Sequence, residues 1–105
     1  MRRLHYAEPA LRDLQAILDY IHERDPRAAQ GVLGAIRRLA DLLPANPKLG
    51  KPGRHRGTRE LYVAGLPYVI VYRLTSDAVS VVSVLHTARD LPRAIRARMK
   101  GGRIP

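Results

Sequence analysis

The amino-acid sequence predicts an α+β domain in which a helical hairpin lies on one face of an antiparallel sheet. The element order is β-α-α-β-β-β, with a short helix after it. Apolar residues recur at three- and four-residue steps from Leu11 to Ile21 and again from Ala29 to Leu43, which is helical spacing. β-Branched and aromatic runs then fill 59–63, 67–74 and 78–85, separated by the turn-like Ala64-Gly65-Leu66 and Thr75-Ser76-Asp77. A helical hairpin and a sheet each carry one apolar face, and stacking them buries both.

Each element follows from its residues. Arg2–Tyr6 reads as a short edge strand. Pro9 suits the first turn of a helix, where its missing N–H is not needed. That helix places Leu11, Leu14, Ile17, Leu18 and Ile21 on one face, with Arg12, Asp13, Asp19 and Glu23 largely off it. Asp25-Pro26 then supplies a cap and a first-turn proline for a second helix. Its apolar face holds Ala29, Val32, Leu33, Ile36, Leu39, Ala40 and Leu43, and Pro44 ends it. So short a link between the helices predicts an antiparallel hairpin. Residues 44–58, PANPKLGKPGRHRGT, have the Pro/Gly content of a loop. The run YVIVY (68–72) is apolar on both faces, as suits a central strand, and Tyr68 and Tyr72 share a face, where core packing is expected. From Leu91, a basic helix is expected.

At 105 residues the chain, 1–105, is expected to be a single domain with one modest core. It has no Phe or Trp, and the absence of Cys excludes both a disulfide framework and a thiolate metal site. A reducing, cytoplasmic setting is expected. No apolar run is long enough to span a bilayer, so no membrane partner is expected either. The start, MRRLHYAEPA, lacks the apolar core of a secretory signal.

Charge is the strongest compositional feature: 19 Lys/Arg against 9 Asp/Glu, a net +10. Residues 1–47 are nearly neutral, with seven basic and six acidic groups. Residues 48–59 carry five basic groups (Lys48, Lys51, Arg54, Arg56, Arg59) and none acidic, and residues 89–105 carry six, including Arg89, Arg93 and Arg96, against Asp90. Two segments thus hold essentially the whole excess. A polyanionic or acidic partner is implied, and the two segments are expected to meet in one basic face.

Signals for chemistry are sparse. The four histidines (5, 22, 55, 86) have no metal-ligand spacing, so neither metal nor cofactor is expected. LGKPGRHRGT lacks the glycine spacing and Gly-Lys-Ser/Thr ending of a nucleotide-binding loop. The last β-run closes on His86, Arg89 and Asp90. Chemically, the His is a proton carrier and the Arg a phosphate clamp. Structurally, His86 is a partner for backbone groups at the strand end, Arg89 for Glu60, and Asp90 is a helix cap. The residues alone favour the structural reading.

In their order, DLQAILDYI, DPRAA, NPKLGKPG, GTREL, PYVIVYR and VVSVLHTARD resemble the ParE/RelE superfamily of type II toxin–antitoxin toxins, over about Tyr6 to Pro92. The resemblance implies a small bacterial toxin held inactive, in a hetero-oligomer, by its cognate antitoxin. It also implies one of two targets: DNA gyrase for ParE-type members, or mRNA on the ribosome for RelE-type nucleases. RelE-like catalytic positions fall on Glu60, Tyr62, Val69 and near Ile95, and only Arg89 matches. The pattern is therefore more similar to the ParE branch, a topoisomerase poison without chemistry of its own. For the nuclease alternative, the residues available are His86, Arg89, Arg59 and Lys51; a non-toxic nucleic-acid-binding module is the third alternative. Antitoxin contacts are expected on apolar positions of the hairpin: Leu14, Ile17, Leu18, Ile21, Leu33 and Ile36.

Overall fold

A computed structural model describes residues 1–90. Strand β1 (Arg3–Tyr6) leads into helices α1 (Glu8–His22) and α2 (Pro26–Ala40). Four strands follow: β2 (Lys51–Pro52), β3 (Arg59–Tyr62), β4 (Tyr68–Leu74) and β5 (Ala78–His86). They form one sheet in the order β1-β5-β4-β3-β2.

The helical hairpin starts and stops where its residues require. Pro9 lies in the first turn of α1. Asp25 Oδ1 accepts the backbone N–H groups of Arg27 (3.2 Å) and Ala28 (3.3 Å), satisfying two donors that α2 leaves unpaired at its start. Ala10, Leu14 and Ile17 of α1 join Ile36 and Ala40 of α2, and Leu43 just beyond it, in the core. Against them stand Tyr68, Ile70 and Tyr72 of β4 and Val79, Val81 and Val84 of β5. Alternation then turns Val69, Val71 and Arg73 to the opposite face, which neither described helix covers.

Two features depart from the expected sheet. It is mixed, because β1 pairs with β5 in parallel, Arg3 opposite Ala78 and Tyr6 opposite Val81. The short-link rule for antiparallel neighbours says nothing about β1, whose partner lies beyond the whole helical hairpin. The expected loop also contains a strand, since Lys51 and Pro52 pair with Glu60 and Arg59. A bulge in β5 is the remaining irregularity. Val71 pairs with Ser83 but Tyr72 with Val81, leaving Val82 unpaired. The extra residue lets Val79, Val81 and Val84 all face the helices. The basic helix expected from Leu91 lies outside the described residues, and Arg93 and Arg96 with it.

Candidate functional site

The basic loop is a rigid structure pinned to the sheet. Buried Tyr72 donates its hydroxyl to the Pro47 carbonyl (2.8 Å) and accepts the Gly50 N–H (2.9 Å). Arg59 Nε donates to the Gly50 carbonyl at 2.8 Å. The turn between β2 and β3 closes with Gly53 N–H on the Thr58 carbonyl (2.8 Å) and Thr58 Oγ on the His55 carbonyl (2.6 Å). Gly57 there has φ +83°, a left-handed conformation that favours glycine.

That pinning displays a polar cluster on the uncovered sheet face. Glu60, opposite Val71 in the register, is only 5 % exposed, yet both its carboxylate oxygens are engaged. Oε2 accepts the Arg54 backbone N–H at 3.0 Å, and Oε1 accepts the Tyr62 hydroxyl at 3.4 Å. Arg54 Nη2 donates to the Tyr62 hydroxyl at 3.3 Å, and Lys51 Nζ stands 5.0 Å from the centre of the Tyr62 ring. Exposed Arg73 lies on the same face, beside Gly57. Tyr62 and Arg73 were not among the binding residues expected from sequence. The alternation of PYVIVYR carries the signal for Arg73, since it shares a face with Val69 and Val71.

The two basic segments do not meet at Arg89. Arg59 is level with Tyr72, whereas His86 is level with Tyr68, four residues away along β4, or about 13 Å. Arg54 and Arg56 lie beyond Arg59, in the turn at that sheet end, and Arg89 leaves at the other. Arg89 does not reach Glu60; its guanidinium stands 5.0 Å from the ring centre of Tyr20 on α1. The nuclease candidates are dispersed in the same way. Lys51 belongs to the uncovered face, Arg59 is spent on Gly50, and His86 and Arg89 are at the far sheet end.

His86 acts as a structural closure. Its Nδ1 accepts the backbone N–H groups of Ala88 and Arg89, each at 3.2 Å, and its ring meets Tyr68 edge-on at 5.4 Å. Asp90 Oδ2 accepts the His86 N–H at 2.8 Å, so Asp90 closes the strand end. Beyond β1, the open edge of β5 is covered the same way: Asp13 Oδ2 accepts the Val84 N–H (2.9 Å) and the Ser83 hydroxyl (3.3 Å). Carboxylates thus occupy edge donors that would otherwise template another strand. Asp13, Tyr20, Arg89 and Asp90 line a cavity of about 410 Å³ there.

Burial pushes the Asp13 carboxyl above the ordinary Asp range, partly opposed by its bonds to Val84 and Ser83. The folded state therefore holds this proton more tightly than the unfolded chain does. Asp13's contribution to stability falls as pH rises from the ordinary Asp value through the raised one, and is level above it. Asp13→Asn keeps an acceptor for Val84 without the half-buried charge, and is expected to be neutral or mildly stabilising at pH 7. Asp13→Ala orphans the Val84 N–H and is expected to cost about 1–3 kcal/mol. Urea titrations of the three proteins at pH 7 and pH 4 check this, with the Asn advantage shrinking at the lower pH.

Apolar positions of the hairpin divide by depth. Leu14, Ile17 and Ile36, three of the expected partner contacts, are buried in the core, with Leu14 lining a groove beside Leu11, Leu18 and Leu33. Leu18, Ile21 and Leu33 are half-buried. The outward apolar surface is instead Leu11, Leu42 and Leu49, which are exposed, with Leu39 and Val63 lining a groove beside Leu42. Among the described residues, no helix is long and apolar enough to cross a membrane.

A five-stranded mixed sheet with a two-helix cover on one face is shared with known proteins. The family model for the ParE toxin of the type II toxin–antitoxin system parDE matches residues 4–91. The chain belongs to this ParE toxin family. Among relatives, Y4kP of Sinorhizobium fredii is 38 % identical over 90 % of this chain and 97 % of its own length. Toxin RelE2 of Caulobacter vibrioides is 40 % identical over 76 % of this chain and 89 % of its own. In solved structures, the chromosomal ParDE system of P. aeruginosa shares the fold with a TM-score of 0.76, at 24 % identity over 82 % of this chain and 96 % of that one. The RelBE2 toxin–antitoxin complex of Mycobacterium tuberculosis matches with a TM-score of 0.57, at 26 % identity over 81 % and 96 %.

Proposed function

We propose that this ParE-family toxin inhibits DNA gyrase, stalling replication, when it is free of a cognate antitoxin. The observation that carries the reading is the parDE toxin family match, which spans nearly every described residue. The chemistry of the sheet supports it. Cutting RNA through its 2′-OH takes a proton acceptor, a proton donor and positive charge on the phosphate, all within reach of one another. Here Glu60 has both oxygens engaged, Val69 is fully buried and carries no charge, and His86 spends Nδ1 on two backbone N–H groups. A second reading, cleavage of mRNA on the ribosome, is favoured by the two Caulobacter relatives named RelE2 and RelE3. The antitoxin's apolar contacts belong on the outward surface around Leu11, Leu42 and Leu49 and on half-buried Leu18 and Leu33, with Arg37, Arg38 and Lys48 at the rim.

Purified toxin is expected to make gyrase accumulate cleaved DNA and to leave mRNA intact on translating ribosomes. A gyrase cleavage assay beside a ribosome cleavage assay checks this. Codon-phased mRNA cuts with no effect on gyrase would replace the first reading by the second.

A further inference from the structure

His86 closes β5 in a way that only its neutral ring permits. Nδ1 accepts two backbone N–H groups, those of Ala88 and Arg89, at 3.2 Å each. A ring nitrogen that accepts carries no proton, so the proton of the neutral imidazole is on Nε2. An imidazolium carries a proton on both nitrogens and accepts nothing. Protonation therefore sets Nδ1–H against two N–H groups and turns both bonds into contacts between donors. An alternative partner stands ready for that proton. The Asp90 carboxylate lies against the same residue, where Oδ2 accepts the His86 backbone N–H at 2.8 Å. A protonated Nδ1 is a charge-assisted donor for it. The other groups that face this end of β5 offer no such acceptor. Tyr68 of β4 meets the ring edge-on at 5.4 Å, and burial pushes its phenol above the ordinary Tyr range, so it stays neutral. Arg89 is itself a cation and stands 5.0 Å from the ring centre of Tyr20. Asp13 and Tyr20 belong to α1, across the cavity that Arg89 and Asp90 also line, and Asp13 is held by Val84 and Ser83.

We propose that His86 is a proton-operated latch: its neutral ring ties down Ala88 and Arg89, and its protonated ring turns Nδ1–H to the Asp90 carboxylate and releases them. Thr87 is held separately, its N–H on the Pro67 carbonyl at 2.8 Å, so the release starts one residue later. What the latch moves is Arg89. Its guanidinium leaves the Tyr20 ring, and the cavity of about 410 Å³ that both residues line loses a wall. The latch works in the interval where histidine changes its charge, about pH 8 to pH 5. It is independent of the toxin's target, because it is a property of the toxin alone.

The experiment is NMR of the isotope-labelled full-length chain between about pH 7.5 and about pH 5. Ring nitrogen shifts report which nitrogen carries the proton, and at the higher pH they are expected to place it on Nε2 of His86. As the pH falls, the Ala88 and Arg89 amides should shift in step with the His86 ring. Their exchange, corrected for its intrinsic pH dependence, should become roughly two- to tenfold faster, the share of one lost hydrogen bond each. Ile70, in the middle of β4, should not respond, and the Arg89 side-chain protons should lose the ring-current shift of Tyr20. His86→Asn puts a neutral acceptor, Oδ1, in the place of Nδ1 and takes up no proton. It is expected to keep Ala88 and Arg89 protected at both pH values, which also separates His86 from the titration of His5, His22 and His55. The first readouts come from the parent chain and do not depend on a variant folding. A proton on Nδ1 at the higher pH, Ala88 and Arg89 amides that ignore the His86 titration, or the same pH response in a folded His86→Asn protein would each overturn the proposal.

Discussion

Tyr72→Ala is expected to lower the stability of the domain by about 3–5 kcal/mol, the range for deleting a buried aromatic side chain. Tyr72 is fully buried in the centre of β4, and its ring faces the helices with Tyr68 and Ile70. It also passes through the core to the loop, where its hydroxyl holds Pro47 and Gly50 together. Tyr72→Phe separates the two roles. The ring remains, and the variant is expected to lose about 1–3 kcal/mol, because the buried Gly50 N–H is left without its acceptor. Urea denaturation gives both values, and amide exchange locates the smaller one. Protection of the Gly50 N–H should fall in Tyr72→Phe while that of the central strands follows global stability. If Tyr72→Phe matched the parent in both, the hydroxyl would not be what holds the loop.

The same residue shows where reading from sequence succeeds and where it stops. Tyr68 and Tyr72 are placed on the core face by alternation alone, because a strand's period is local and survives without knowledge of neighbours. Asp25-Pro26 is legible as a helix start for the same reason. What Tyr72 does beyond the core is invisible in sequence, since Pro47 and Gly50 meet it only after the chain has folded. Strand β2 is hidden by its shortness: two residues carry no period, and both sit in a Pro/Gly-rich run. The parallel direction of β1 depends on pairing with β5 across both helices and three intervening strands, which no local pattern records.

The candidate sites were less legible than the fold, and charge counting is the clearest case. Clustering of Lys/Arg in residues 48–59 and 89–105 is real, but sequence cannot tell which sheet end each segment leaves from. The register puts Arg54 and Arg89 at opposite ends, and Arg59 turns out to serve the loop's own backbone. Helical periodicity has a similar limit. It groups Leu11 with Leu14, and Leu33 with Ile36, yet only contact with the sheet decides which of each pair is buried. LHTARD was legible in kind, as a closure with His86 bonding backbone groups; the partners of Arg89 and Asp90 were not.

Gly50→Ala is expected to destabilise the domain by about 2–4 kcal/mol, although it adds a single methyl group. The requirement here is space, since Gly50 does not adopt a left-handed conformation. A Cβ would stand 2.8 Å from the Glu60 carbonyl oxygen and 2.9 Å from both the ring and the hydroxyl of Tyr72. Neither neighbour can easily retreat. Glu60 belongs to a strand paired on both sides, and Tyr72 is enclosed in the core. Relief must come from the loop, which would break the Tyr72–Gly50 bond and release the Arg59 hold on the Gly50 carbonyl. Lys51 would move with it, so Gly50→Ala should also reduce any binding that depends on the uncovered face. Gly31 supplies the control. It is exposed in the middle of α2 with nothing within 4 Å of an added Cβ, and Gly31→Ala is expected to stabilise the domain by about 0.5–1 kcal/mol through helix propensity. Thermal and urea denaturation of the two variants measure opposite signs if this account is right. A neutral Gly50→Ala would mean that the loop has room to move, and that Tyr72 does not hold it rigidly against the sheet.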